Sequence, residues 1–135
     1  MTTTLAAQGA GVIKDPTSRL TITMQRGGAV IEIGDETEKS GRIYFTIPSQ
    51  SATNPILKKA KVDFTASKAT VDAISISSGN SEVFSAQELG ATSTLTLDIN
   101  SDTEINPNQG ITLSIDLTFD DTTSYINVHS VSVDV

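Results

Sequence analysis

From Ile111 to Phe119 apolar and polar residues alternate without a break. Ile111, Leu113, Ile115, Leu117 and Phe119 share one parity, and Thr112, Ser114, Asp116 and Thr118 the other. In a β-strand successive side chains point to opposite faces, so this segment reads as a strand with one dry and one wet face. Wound into a helix, the same residues would spread their apolar side chains all round the surface. The period recurs at Leu20, Ile22 and Met24; at Ala29, Ile31 and Ile33; and at Ile43, Phe45 and Ile47, where Pro48 ends the run because it has no N–H for a ladder. It recurs again at Ala60, Val62, Phe64 and Ala66, and at Leu95, Leu97 and Ile99.

Two runs change parity. Val71 is out of step with Ile74 and Ile76, and Ile126 and Val128 are out of step with Val131, Val133 and Val135. A slip of one residue turns a buried face outward. Keeping both halves dry therefore predicts a β-bulge near Asp72-Ala73 and another near His129-Ser130.

Turn signals separate the runs. They stand at Asp15-Pro16, Gly27-Gly28, Gly34-Asp35, Ser40-Gly41, Asn54-Pro55, Gly79-Asn80, Gly90, Asn106-Pro107, Gly110 and Asp120-Asp121. No stretch reads as a helix beyond a single turn at Ser85 to Leu89. Short alternating strands between closely spaced turns predict an all-β, single-domain, antiparallel two-sheet β-sandwich of the jelly-roll or Ig-like kind, with about 8–10 strands over residues 1–135. Residues 1–14 are uncharged until Lys14 and weakly alternating. They predict either a strand in the chain's own sheet or an arm added to the sheet edge of a neighbouring copy.

Composition narrows the function. The chain has 16 acidic and 9 basic residues and a formal net charge of −7, which repels nucleic-acid phosphates and disfavours anionic membrane surfaces. There is no cysteine, so disulfides, thiolate metal sites and cysteine nucleophiles are excluded. No apolar run approaches the roughly 18 residues of a membrane helix. The opening MTTTLAAQGAG lacks the basic and apolar regions of a signal peptide. The expectation is no membrane insertion, with the compartment left open. Serine and threonine together make up about a quarter of the chain, and the regular alternation shows that this is strand composition rather than disorder.

Catalytic chemistry has little to work with. His129 is the only histidine, its neighbour Ser130 points to the opposite face, and there is no G-x-S-x-G elbow. The expectation is a packed or edge histidine, no enzyme activity and no cofactor. Acidic groups gather at Asp35-Glu36-Glu38, Asp98-Asp102-Glu104 and Asp120-Asp121, but none has the spacing of a calcium loop. Carboxylates paired for glycoside hydrolysis would need a sugar cleft, and aromatics are only 4% of the chain. Tyr44 alternates with core residues and is expected on an outer strand face, where it could seed a small binding patch. Lys58, Lys59 and Lys61 form the one basic concentration and predict a lysine-protected edge strand.

Several segments together resemble an uncharacterised family of small bacterial β-sandwich domains. They are GAGVIKDPTSRL, QRGGAVIEI, GRIYFTIPS, ILKKAKVDFTASKATVDAISISSG, NQGITLSIDLTF and the final SVSV. The family tends to carry a tryptophan and a histidine before an I-P motif, where this chain has Arg42, Ile43 and Tyr44. The resemblance implies the sandwich; the family has no assigned activity, so no function follows from it.

The reading that follows is a non-enzymatic structural or interaction module. It would self-assemble into a homo-oligomer or fibre through strand edges, or meet another protein. The alternative is a carbohydrate- or calcium-binding module. Tyr44, Tyr125, Asp120 and Asp121 are the candidate ligand or interface residues, with a glycan as the possible ligand.

Overall fold

Leu113, Ile115 and Leu117 are buried in the computed structural model, and the period-two pattern holds along the whole strand. The structure describes residues 4–17, 19–26, 28–34, 36–47, 56–79, 81–99, 105 and 110–135. The turn and cluster positions Gly27, Asp35, Pro48, Asn54, Pro55, Asn80, Asp102, Glu104, Asn106 and Pro107 lie outside the described residues.

Eleven strands occur among the described residues: β1 (Thr4–Gln8), β2 (Ile13–Lys14), β3 (Leu20–Gln25), β4 (Gly28–Ile33), β5 (Ser40–Ile47), β6 (Lys59–Ser67), β7 (Ala69–Ser78), β8 (Ser81–Ala86), β9 (Ser93–Asp98), β10 (Ile111–Phe119) and β11 (Tyr125–Asp134). That is more than the 8–10 expected, for two reasons. The N-terminal arm supplies two short strands, joined through a 3₁₀ turn at Gly9–Gly11. β8 hides its period because it is bulged: Ile76 faces Phe84 and Ser77 faces Glu82, leaving Val83 over.

All pairings are antiparallel. The first sheet runs β3-β4-β11-β6-β9, with β1 also on β11; the second runs β2-β5-β10-β7-β8. Their inner faces form one apolar core that includes Ile31, Phe45, Phe64, Ile76, Leu113, Phe119, Val128 and Val131. With so few aromatics, this core depends on interdigitated branched aliphatics held in register by the ladders. No helix among the described residues is long and apolar enough to cross a membrane.

The arm finds its partners inside the chain. β1 pairs along β11, from Thr4 opposite Asp134 to Gln8 opposite Ser130, and β2 pairs β5 in the other sheet. Of the two fates open to it, residues 4–14 take the strand in their own sandwich. The lysine expectation fails: β6 lies between β11 and β9, so it is no edge strand. Lys59 instead sits on the outer face in a charged row, opposite Asp134 on one side and Asp98 on the other, with its Nζ 3.6 Å from Asp98 Oδ1. At the true edge, β3 runs past the core, and Met24 is left 53% exposed although it keeps the apolar parity.

Both expected bulges are present. On β7, Asp116 faces Ala73 and Leu117 faces Val71, so Asp72 is the extra residue. On β11, Val128 faces Phe64 and Ser130 faces Asp63, so the half-buried His129 is extra.

Candidate functional site

The outer face of the second sheet is built from the polar parity of β5, β10 and β7. Register sets it in rows across the three strands: Thr46, Thr112 and Ser77; Tyr44, Ser114 and Ser75; Arg42, Asp116 and Ala73; Ser40, Thr118 and Thr70. Small hydroxyl side chains keep the surface low along the middle. Ser75 and Ser114 share a hydrogen bond of 2.8 Å.

An open trough of about 900 Å³ lies across one end of this face. Its polar lining includes Asp15, Arg42, Asp72, Gln87, Glu88 and Asp116. A smaller adjoining hollow shares Arg42, Gln87 and Asp116 and reaches Ser75, Ser85 and Ser114, so the polar surface continues along the strands.

Most of the trough's charged groups are fixed by neighbours. Arg42 donates from Nε to Asp116 Oδ1 at 2.5 Å and from Nη2 to Asp116 Oδ2 at 3.2 Å, a two-pronged pairing across β5 and β10. That pairing, and then the Tyr44 hydroxyl, raises the guanidinium's pKa further above its ordinary value. Asp15 Oδ1 accepts from the Thr17 backbone N–H at 2.8 Å and from the Thr17 hydroxyl at 2.7 Å. Its other oxygen accepts from the Tyr44 hydroxyl at 2.9 Å. The Thr17 N–H, then the Thr17 and Tyr44 hydroxyls, hold Asp15 below the ordinary carboxylate range.

Asp72 owes its place to the bulge. As the extra residue on β7 it turns outward over the cross-strand pair Thr70 and Thr118. It accepts from Thr70 Oγ1 at 2.6 Å and from Thr118 Oγ1. Its freed carbonyl accepts from Leu89 N–H at 2.8 Å. Two further bonds of 2.9 Å join Val71 and Ala91. The chain from Gln87 to Gly90 is thereby pinned as an arch beside the bulge, and it reverses through two left-handed residues, Glu88 (φ 57°) and Gly90 (φ 52°). Glycine meets that demand easily; glutamate does so at a cost in backbone strain.

The four residues singled out from the sequence do not form one site. Tyr44 lies on the second sheet's outer face, beside the trough, with its hydroxyl committed to Asp15. Tyr125 opens β11 in the first sheet, opposite Ser67, and is 41% exposed. Asp120 and Asp121 lie in the connection between β10 and β11. The Asp120 N–H donates to the Lys68 carbonyl at 2.9 Å. Asp121 Oδ1 accepts from the Thr123 N–H at 2.8 Å and from its hydroxyl at 2.5 Å, and Oδ2 lies 3.9 Å from Lys68 Nζ. Those Thr123 bonds, hydroxyl first, hold the Asp121 carboxyl below its ordinary value. Among the described residues no group of three or more His, Asp or Glu side chains is gathered closely enough to hold a metal ion.

Asp72, Gln87, Glu88 and Asp116 were not singled out. The parity slip at Asp72 was the one available signal, because a bulge often marks a place where side chains are re-aimed.

No family model matches the chain, and no curated protein is similar to it. Solved structures are similar in fold. The low affinity xylan binding module CBM86 from the xylanolytic gut symbiont Roseburia intestinalis has a TM-score of 0.57 at 10% identity, over 97% of this chain and 94% of that one. A family 29 carbohydrate binding module from Piromyces equi, CBM29_1, has a TM-score of 0.53 at 7% identity, over 98% and 90%. The CBM36-1 domain of a multidomain xylanase from the hindgut metagenome of Trinervitermes trinervoides has a TM-score of 0.51 at 10% identity, over 98% and 96%. The chain shares the two-sheet sandwich of these modules.

Proposed function

We propose that this chain is a non-catalytic carbohydrate-binding module and that the outer face of its second sheet receives the glycan. The observation that carries the reading is the trough itself: an open, strand-floored channel lined by hydroxyl, carboxylate, amide and guanidinium groups. Sugar hydroxyls both donate and accept, and such a lining offers each of them a partner. The channel is open along the strands, which suits a chain rather than a single enclosed sugar. The sandwich modules similar in fold include a xylan-binding one, so xylan is the first glycan to try.

Tyr44 supplies one aromatic ring beside the trough, so stacking contributes little and polar contacts must carry recognition. Each exchanges a water hydrogen bond for a sugar one and nets only about 0.5–1.5 kcal/mol. A dissociation constant in the range of about 0.1–1 mM is expected, equivalent to roughly 4–5.5 kcal/mol. Affinity electrophoresis and calorimetry against xylan, mannan and mixed-linkage glucan test this. At least one neutral polysaccharide should retard the protein. A variant carrying both Arg42→Ala and Asp116→Ala, which leaves neither charge unpaired, should migrate freely. Lys61→Ala, on the outer face of the other sheet, should be retarded like the wild type. No retardation by any polysaccharide, or undiminished retardation of the double variant, overturns the proposal.

A further inference from the structure

Four carboxylates and one guanidinium line the trough: Asp15, Asp72, Glu88 and Asp116 against Arg42. Three of the carboxylates already have protein donors. Asp15 is held by Thr17 and Tyr44, Asp72 by Thr70 and Thr118, and Asp116 by Arg42. Glu88 differs in two respects. No described residue hydrogen-bonds or pairs with its carboxylate, and its backbone is held left-handed between the Leu89 N–H bond to Asp72 and the Ala91 bridge to Val71. A non-glycine residue pinned in a disfavoured conformation, with its exposed charged end unpartnered among the described residues at the rim of a polar channel, points to a function for the side chain.

We infer that Glu88 is the specificity-determining residue of the trough. Its carboxylate accepts hydrogen bonds from the hydroxyls of an uncharged glycan and excludes glycans that carry carboxylates of their own. This rests on the glycan-binding reading and gives it a ligand class. The chemistry follows from the charges present. A uronate entering the channel would meet a Glu88 that no described cation neutralises, and Arg42, the only cation among the described lining residues, is already engaged through Nε and Nη2 by Asp116. The net charge of −7 on the whole chain adds to the repulsion. A neutral sugar meets no such repulsion, and its O–H donors can replace the water on the exposed Glu88 carboxylate.

Two variants separate charge from shape. Glu88→Gln keeps the side chain's size and removes its charge; Glu88→Gly also relieves the left-handed backbone. Binding is measured with neutral linear xylohexaose and with an oligogalacturonate of similar length, and the melting temperature is recorded alongside. The wild type should bind xylohexaose and not the galacturonate. Both variants should bind xylohexaose about tenfold more weakly, the effect of losing a hydrogen bond to a charged acceptor. Glu88→Gln should admit the galacturonate measurably, and Glu88→Gly should melt no lower than the wild type. Xylohexaose binding unchanged in Glu88→Gln overturns the inference and leaves the glycan-binding reading standing. So does a wild type that binds galacturonate as tightly as xylohexaose. A wild type that binds no neutral glycan at all overturns both.

Discussion

The two bulges are alike in register and opposite in use. Each inserts one residue into a long strand, and each lies where that strand changes partner on one side. β11 passes from β4, at Ile126 to Val128, to β1, at Ser130 to Asp134, with His129 at the handover. β7 passes from β8, at Ile74 to Ser78, to the bridge at Ala91, with Asp72 at the handover. At β11 the gap is closed by backbone. Gly9 and Gly28 crowd the Val128 carbonyl, and a Cβ on Gly9 would come within 1.8 Å of that oxygen. At β7 the gap is bridged by an arch that carries side chains, and Gln87 and Glu88 line the trough. The same irregularity thus locks a sheet where glycine fills the handover and builds a polar surface where charged residues do.

The largest test of this contrast is Gly9→Ala. A Cβ 1.8 Å from a backbone oxygen has no flexible side chain to yield to it, and Val128 is itself fixed between two strands. A loss of more than about 3 kcal/mol is expected, at or beyond the upper end for overpacking, enough to prevent folding of a marginal domain. Gly28→Ala, which would bring a Cβ 2.7 Å from the same oxygen, should cost less but remain clearly destabilising. Urea unfolding measures both. A Gly9→Ala protein as stable as the wild type would show that the β11 handover is not sterically closed.

At the other bulge the expected stability loss is smaller and is joined by a binding loss. Asp72→Ala removes the acceptor for Thr70 and Thr118, and on a half-buried strand face this should cost about 1–2 kcal/mol. It should also weaken xylohexaose binding several-fold, because the bulge residue then no longer shapes the trough floor. Asp72→Asn keeps the size of the side chain and should recover part of each. If stability falls and affinity does not, the two bulges are structural alike and the contrast fails.

The location of both bulges is legible in the sequence because burial enforces parity: Val71 against Ile74, and Val128 against Val131, cannot all be dry on a regular strand. Their different uses are not. What distinguishes them is which segment lies opposite, and the partners at Gly9, Gly28 and Ala91 come from distant turns whose approach no local pattern encodes. Glu88 hides for the same reason. Glutamate gives no turn signal, and only the bonds from Leu89 to Asp72 and between Ala91 and Val71 hold it left-handed. Arg42 stood out in the sequence only as a residue where a related pattern has aromatics; its role depends on Asp116 being its cross-strand neighbour on β10. Tyr44 was placed rightly on an outer face because alternation alone decides that. Tyr125, Asp120 and Asp121 were grouped with it on chemistry, and the topology separates them.

A smaller pair repeats the contrast. Asp15-Pro16-Thr17 and Asp121-Thr122-Thr123 make the same local device, an aspartate accepting from the N–H and hydroxyl of the threonine two residues on. One lines the trough and also takes the Tyr44 hydroxyl; the other ties the β10–β11 connection near Lys68. Both carboxyls titrate below their ordinary value of 3.8 in the folded chain. The unfolded chain therefore takes up protons first as the pH falls. The stability these turns contribute is complete well above pH 3.8 and is lost as the pH drops through the lowered folded values. Asp15→Asn and Asp121→Asn should each lower the melting temperature slightly on the plateau above about pH 6, flatten its acid limb below about pH 4 and converge with the wild type at the acid end. Xylohexaose affinity separates the two. It should fall in Asp15→Asn, whose side chain meets the channel, and stay at the wild-type value in Asp121→Asn. Equal affinity in both would make the Asp15 turn a purely structural device, like its twin.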